Sequence, residues 1–323
     1  MHPFRYHSAS SPADAGRQLS ASGAMPLGGG TDLLVLLKEG IESPDTLVDL
    51  RRIPGARDIE SHADGGLRIG ASARIQDLSE HPAVRERFPA LSSACASVGT
   101  VALRHMGTLG GNLCQRPRCW YFRRGVPCLK NGGGDCPARE GENQYHAILD
   151  GGPCWIVHPS DPAVALTALG AEVEITGAHP NTRSVPIEQF YVLPRDRLDR
   201  ETVLGPEEYV SAVTLPAASA GGWQRYDKVM QRGAWDFALV SLAACRRENG
   251  DIRLVLGGVA PRPWRVTSSV EEDVASGGLD PDDVATLADR ALYDARPLSK
   301  NGYKVSLASA LLKRALSDIL GSA

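Results

Sequence analysis

Short apolar runs separated by Gly-, Pro- and Ser-rich breaks make up most of the chain, and their periods predict a succession of small strands and helices. Phe4-Arg5-Tyr6 reads as a short strand, and Ser11-Pro12 as an N-cap followed by proline at the first helical position. Leu27 leads into Gly28-Gly29-Gly30-Thr31-Asp32 and then the apolar run Leu33 to Leu37, so the opening reads as a small α/β unit. Thr46 to Leu50 and Leu67 to Gly70 read as strands, and Ser72 as the cap of a helix presenting Ile75 and Leu78. Asp161 to Leu166 starts a helix, and Ala171 to Thr176 is a further strand. A composition shift over Leu215-Pro216-Ala217-Ala218-Ser219-Ala220-Gly221-Gly222 marks the best domain boundary. Beyond it, Ala238 to Cys245 and Ile252 to Val259 read as strands. The final segment is an amphipathic helix, with Val305, Ala308, Leu312, Ala315 and Ile319 inward and Lys313, Arg314 and Asp318 outward. There is no internal repeat and no low-complexity tail.

One stretch breaks the pattern. Between about Gln115 and Pro153 there is little apolar periodicity and no run resembling a core strand or a long helix. Cys119, Cys128, Cys136 and Cys154 stand in it and at its end, spaced C-x8-C-x7-C-x17-C. A segment that cannot bury its own core needs a staple, either disulfides or a metal centre.

Bulk composition narrows the choice. A length of 323 residues suggests roughly two domains, and 42% hydrophobic with 23% charged residues is ordinary for a soluble globular protein. The net charge of -3 lacks the basic footprint of a nucleic-acid binder. No apolar run reaches the roughly 18 residues that span a bilayer, so no membrane insertion is expected. The N-terminal MHPFRYHSASSPADAG lacks the apolar core of a secretory signal, which points to a cytosolic, reducing compartment where stable disulfides are rare. Seven cysteines, an odd number, also fit a disulfide framework poorly. The expected staple is therefore a metal centre.

Two glycine loops are the other candidates for chemistry. In Leu27 to Leu34 (LGGGTDLL), three successive glycines let backbone N–H groups converge on an anion, and Thr31 adds a hydroxyl; a plain strand-to-helix turn is the bland alternative. A Rossmann reading, with Asp49 as the acidic residue about 20 positions on, fails on two counts. The third glycine position holds Leu33, and the preceding SGAMP does not read as an apolar strand. The second loop, Gly107-Thr108-Leu109-Gly110-Gly111-Asn112, raises the possibility that both loops face one extended, phosphorylated cofactor, although Asn112 also suits a simple turn.

For the four cysteines, zinc and an iron–sulfur cluster both remain open on chemistry alone. Structural zinc usually brings C-x2-C knuckles, which are missing, whereas thiolate-only ligation with wide spacing suits a cluster. Arg116, Arg118, Arg123, Arg124 and Lys130 crowd the loop and would offset the charge of a thiolate-ligated cluster. Cys114, beside Leu113, reads as a packed fifth thiol, and Cys95 and Cys245 as core residues.

These residues carry a family resemblance along nearly the whole chain. The sequence resembles the FAD-binding subunit of molybdenum hydroxylases, the group of xanthine dehydrogenase, carbon monoxide dehydrogenase and aldehyde oxidoreductases. The loop at 27–34 matches the first flavin loop, Thr108-Leu109-Gly110-Gly111-Asn112 the T-x-G-G-N second loop, and Ser160-Asp161 the S-D pair before an alanine-rich helix. Lys228, Arg232 and Asp236 match the K-x3-R-x3-D signature of the C-terminal domain, and Leu256 to Pro263 its G-G-V-A-x-x-P turn. Most members lack the cysteine-rich insertion. It looks like the loop of two branches, bacterial periplasmic aldehyde oxidoreductases and 4-hydroxybenzoyl-CoA reductases. The run Gln115 to Arg123, and His146-Ala147-Ile148-Leu149 before Cys154, resemble the aldehyde oxidoreductase branch most.

The resemblance implies an α+β fold. A p-cresol methylhydroxylase-type FAD domain of two α+β subdomains would span 1–218, with an Fe–S loop insertion at about 115–154, followed by a small α+β flavoprotein domain of the carbon monoxide dehydrogenase type over 222–323. It implies that Pro26, Leu27, Gly28, Gly29, Gly30, Thr31, Asp32, Leu33 and Leu34 hold FAD at its pyrophosphate, with Thr108, Gly111 and Asn112 along the flavin chain. Asp161 would meet a ribityl or ribose hydroxyl and Lys228 the isoalloxazine; a surface salt bridge with Asp227 or Asp236 is the alternative for Lys228. Cys119, Cys128, Cys136 and Cys154 would ligate one 4Fe–4S cluster, leaving Cys114 out. The implied partners are a molybdopterin-binding large subunit and a 2Fe–2S small subunit in a heterotrimer or a dimer of heterotrimers, with an external electron acceptor. The location is cytoplasmic by the chain's own sequence, or periplasmic if a partner carries a twin-arginine signal. The competing functions are the flavin subunit of a 4-hydroxybenzoyl-CoA reductase-like enzyme and a zinc-stapled, non-redox binding protein.

Overall fold

The computed structural model describes residues 1–178, 182–277, 279–280 and 283–321. Three sheets organise them. The first is parallel, with β1 (Arg5–Ser8), β2 (Ala24–Leu27) and β3 (Thr46–Asp49) in the order β1-β3-β2. Ser11 caps the helix Pro12–Leu19 as its sequence predicts, its hydroxyl accepting from the Asp14 N–H at 3.1 Å. The expectation that SGAMP is no strand is corrected: β2 runs through Met25 and Pro26. It lies at the sheet edge, where a proline's missing N–H breaks no ladder. The Rossmann reading still fails on Leu33.

The second sheet contains β4 (Ile59–Ser61), β5 (Leu67–Gly70), β6 (Glu172–Thr176), β7 (Arg183–Pro186) and β8 (Tyr209–Leu215), antiparallel in the order β4-β5-β8-β6-β7. The helix Ile75–Glu80 beside it presents Ile75 and Leu78 inward as predicted, but its cap position is Arg74 and not Ser72. The third sheet joins β9 (Trp223–Val229), β10 (Val240–Arg246), β11 (Ile252–Gly257) and β12 (Trp264–Arg265), also antiparallel. The helix Tyr303–Gly321 covers it, with Ala308, Leu312, Ala315 and Ile319 buried. Among the described residues no helix is long and apolar enough to cross a membrane.

The helix Asp161–Leu169 joins the second and third sheets. Its sequence DPAVALTAL is apolar on all sides, and all of its residues are buried, against the helix Pro89–Ala96 on one side and β10 and β11 on the other. Ala243, Cys245 and Val255 of the third sheet therefore share a core with Leu67, Phe88 and Leu166. Cys95 and Cys245 are buried in that core, as expected.

The cysteine-bearing stretch has only one helical turn, Trp120–Arg123, and one 3-10 turn, Pro137–Arg139. Its far end is anchored on the C-terminal core: Ile148 and Leu149 are buried there, and both backbone N–H groups donate to the Val259 carbonyl, at 2.8 and 3.0 Å. Burying each of these side chains contributes about 1.5–3 kcal/mol.

Candidate functional site: two facing glycine loops and a cysteine quartet

The loop after β2 and the loop before Leu109 meet face to face. A Cβ on Gly29 would lie 1.9 Å from the Met106 carbonyl oxygen, and one on Gly28 would lie 2.6 Å from Thr108 Oγ1. Only glycine permits that approach. Thr108, buried, caps the short helix Leu109–Leu113 by accepting from the Gly111 N–H at 3.3 Å. Asn112 Oδ1 accepts from Ser160 Oγ at 2.6 Å, and Ser160 in turn caps the helix Asp161–Leu169. The second loop and the Ser-Asp pair are thus one hydrogen-bonded unit.

A cavity of about 360 Å³ opens along the first loop, lined by Pro26, the Gly28 to Leu33 backbone and Gly111. Leu27 is buried behind it and Leu34 is exposed beside it. Asp32 does not present a free carboxylate there. Oδ1 accepts from Arg118 at 2.5 Å and Arg123 at 2.8 Å, and Oδ2 from the Arg116 backbone N–H at 2.8 Å. Those cationic partners offset a charge that would otherwise repel a pyrophosphate. Arg116, Arg118, Arg123 and Lys130, expected to balance a cluster's charge, are paired with Asp32, Glu42 and Glu201. Cys114 borders the same cavity, its thiol pushed up to about 12 by burial.

A second cavity, about 430 Å³, lies between the Ser160-Asp161 turn and the start of the third sheet, with aromatic walls from Trp120, Tyr145 and Phe237. Asp161 borders it and is held from behind. Tyr226 donates to Oδ1 at 2.6 Å and Lys228 Nζ to Oδ2 at 2.8 Å. Lys228 completes its three bonds on the carbonyls of Ser97 and Asp236, both at 3.0 Å. It is no surface salt bridge: its side chain is 3% exposed, and it meets the cavity through Asp161. Burial raises the Asp161 pKa, and Lys228 and Tyr226 oppose that rise. His158, also on this wall, packs at a tilt against Tyr191 with ring centroids 4.3 Å apart, and burial lowers its pKa to about 3, so it is neutral.

The four cysteines of the insertion lie near one another, and one of them borders this second cavity. Cys119 lines it, with His146 Nε2 at 3.3 Å from its sulfur. Cys119 lies within electrostatic reach of Cys136 and Cys128, and the Cys154 thiol hydrogen-bonds to Cys136, holding the Cys136 thiol below its ordinary range. That same contact, then burial, pushes Cys154 up. Among the described residues, no three or more His, Cys, Asp or Glu side chains are drawn together as a ligand set for a metal ion. The donor chemistry nevertheless fits a thiolate-ligated group: four sulfurs from one loop, with Cys128 and Cys154 buried and Cys114 apart at the other cavity.

Three residues of the site escaped the sequence reading. Tyr226 precedes Lys228 by two and so shares its face of β9, a period that was there to be read. Lys304, whose Nζ donates to the Tyr145 and Gly258 carbonyls at 2.9 and 2.7 Å, sits in a plainly amphipathic helix without a distinguishing mark. Glu201, which is buried against Arg116 and Lys130, stands in a polar loop and gave no signal.

Two facing glycine loops, a cavity beside each end of this unit and a separate C-terminal sheet are the frame of a flavin-binding subunit, and the family matches say so directly. Residues 2–218 match the FAD-binding domain in molybdopterin dehydrogenase, and residues 225–319 match the carbon monoxide dehydrogenase flavoprotein C-terminal domain. The chain belongs to the FAD-binding subunits of the molybdenum hydroxylase family. It is 39% identical over 329 residues to the aldehyde oxidoreductase FAD-binding subunit of Escherichia coli K12, covering 100% of this chain and 99% of that one. It is 27% identical to the glyceraldehyde dehydrogenase medium chain of Sulfolobus acidocaldarius, covering 99% and 100%. Carbon monoxide dehydrogenase of Hydrogenophaga pseudoflava superposes with a TM-score of 0.75 at 24% identity, over 99% of both chains, which bears out the α+β fold.

Proposed function

We propose that this chain is the FAD- and 4Fe–4S-carrying electron-transfer subunit of a molybdenum-dependent aldehyde oxidoreductase. The observation that carries the reading is that Cys119, Cys128, Cys136 and Cys154 share one insertion and lie within electrostatic reach of one another, in a chain 39% identical from end to end to an aldehyde oxidoreductase FAD-binding subunit. Bound FAD would supply the redox chemistry that links an iron–sulfur partner to an external electron acceptor. The residues of this chain supply the rest. The loop Pro26 to Leu33 with Gly111 holds the phosphates, and Thr108 and Asn112 brace the second loop. Asp161 offers a carboxylate to a ribityl or ribose hydroxyl, and Lys228 keeps that carboxylate anionic and oriented.

The molybdopterin-binding and 2Fe–2S subunits are separate polypeptides in this reading, and the chain is divided into a FAD domain over 1–218 and a flavoprotein domain over 222–323. Anaerobic purification, with visible absorption and assays for iron and labile sulfide, tests it. Flavin with four irons and four sulfides per chain is the expected result. A colourless protein carrying zinc overturns it. Turnover of aromatic aldehydes by the complex then tests the substrate class against a 4-hydroxybenzoyl-CoA reductase.

A further inference from the structure

The insertion carrying the cysteines is tied to the first glycine loop by a run of charged side chains that neither cofactor by itself requires. At one end Asp32, 11% exposed, accepts from Arg118, Arg123 and the Arg116 backbone. Arg123 also donates to the Pro117 and Arg116 carbonyls, at 2.8 and 2.9 Å, so one guanidinium knits the loop's own backbone to Asp32. Arg116 lies 5.0 Å over the Phe122 ring and pairs with Glu42 at 2.5 Å and Glu201 at 2.7 Å. At the other end Lys130, whose side chain is 1% exposed, pairs with Glu201 at 2.6 Å and donates to the Leu198 carbonyl at 2.9 Å. Lys130 stands between Cys128 and Cys136 in the chain and within electrostatic reach of Cys154. The path Asp32–Arg123–Arg116–Glu201–Lys130 therefore runs from the phosphate-side cavity to the cysteine quartet.

We propose that this network couples the two cofactor sites, so that filling the cysteine quartet tightens FAD binding and bound FAD protects the quartet. The proposal rests on the cluster assignment made above. The insertion has one helical turn and one 3-10 turn, so its shape depends on side-chain contacts, its ends and its ligands. Removing one charge from a mostly buried network leaves its partner uncompensated, so the network stands or falls as a unit. Asp32 lies on the loop lining the cavity assigned to FAD, and Lys130 on the insertion that carries the quartet, within electrostatic reach of Cys154. Each ligand thus favours the network state that the other needs, and the coupling is reciprocal. Arg123 and Lys130 act as positioning residues, since neither lines the phosphate-side cavity.

The test uses the full chain, purified anaerobically with its cluster and compared after chelator stripping, with FAD affinity read by quenching of flavin fluorescence. In the wild type FAD binds on the order of tenfold more tightly to the loaded than to the stripped chain. In Arg123→Met that ratio falls towards one, and Arg123→Lys, which keeps a cation against Asp32, recovers part of it. Lys130→Met, at the far end, reports the same loss should Arg123→Met fail to fold by circular dichroism. A wild-type ratio near one, or a ratio unchanged in the variants, overturns the coupling and leaves the cofactor assignment standing. A chain that never contains iron or sulfide overturns the cluster assignment and the coupling with it.

Discussion

Replacing Lys228 by Met removes one member of an ion pair whose side chains are 3% and 6% exposed and whose charged atoms are 2.8 Å apart. Breaking such a pair on one side costs about 3–5 kcal/mol, because the remaining charge is buried without compensation, whereas an exposed pair would cost about 0–1 kcal/mol. Two carbonyls, of Ser97 and Asp236, also lose their donor, which places the expected loss in the upper half of that range. Asp161 adds a pH signature. Burial already raises its folded pKa above 3.8, and removing Lys228 takes away the largest opposing influence. A carboxyl with a raised folded pKa contributes stability that is present below its unfolded value and lost as pH rises through the folded one. The deficit of the variant is therefore small near pH 4 and grows towards pH 7. Urea unfolding of the full chain across that range measures it. Asp161→Asn in the Lys228→Met background recovers most of the loss at pH 7, because no charge is then left unpaired. A deficit below about 1 kcal/mol at pH 7, or one flat with pH, refutes the assignment of Lys228 as the buried partner of Asp161.

Under the proposed cluster assignment, Cys128→Ser and Cys136→Ser each lose iron and loosen the insertion, seen as faster proteolysis between Arg116 and Pro153, since binding energy at such a site is coupled to folding. Cys114→Ser keeps its full iron content, and loss of iron there would mean that the ligand set is wrong. Gly29→Ala drives a methyl group against the Met106 carbonyl, separates the two loops and abolishes flavin retention on gel filtration. His158 is neutral when folded, with a pKa of about 3 against 6.5 unfolded. Its contribution to stability is present above pH 6.5 and is lost as pH falls from there towards 3, at up to about 1.4 kcal/mol per pH unit. His158→Gln flattens the acid limb of a urea-midpoint profile by that slope, and an unchanged slope would place the proton elsewhere.

The site was legible where chemistry is local. The glycine runs and the T-L-G-G-N loop were readable because a close backbone approach excludes every side chain, whatever the rest of the fold does. Edge placement was not readable. Pro26 argues against a strand by its own propensity, and only the sheet order, with β2 outermost, makes it harmless. Ser72 looked like a cap because Ser favours caps, but the cap position falls two residues later, at Arg74, and the helix begins at Ile75. The arginines of the insertion were legible as charges and not as partners, because Asp32, Glu42 and Glu201 lie far from them in the chain.

By itself the sequence determined the class of the protein: two glycine loops, a Ser-Asp pair, a K-x3-R-x3-D signature and a cysteine quartet in one insertion are ordered marks that survive any detail of packing. Only the tertiary structure decided what those residues face. Lys228 meets Asp161 and not the cavity because three acceptors, the Asp161 carboxylate and the carbonyls of Ser97 and Asp236, satisfy all of its ammonium protons there. Asp32 became a strut and not a free anion because the insertion folds back over the first loop and brings Arg118 and Arg123 within 2.8 Å of it. Residue types set which bonds are possible; which of them form depends on contacts across 67 residues for Lys228 and up to 91 for Asp32, and those distances are closed only by folding.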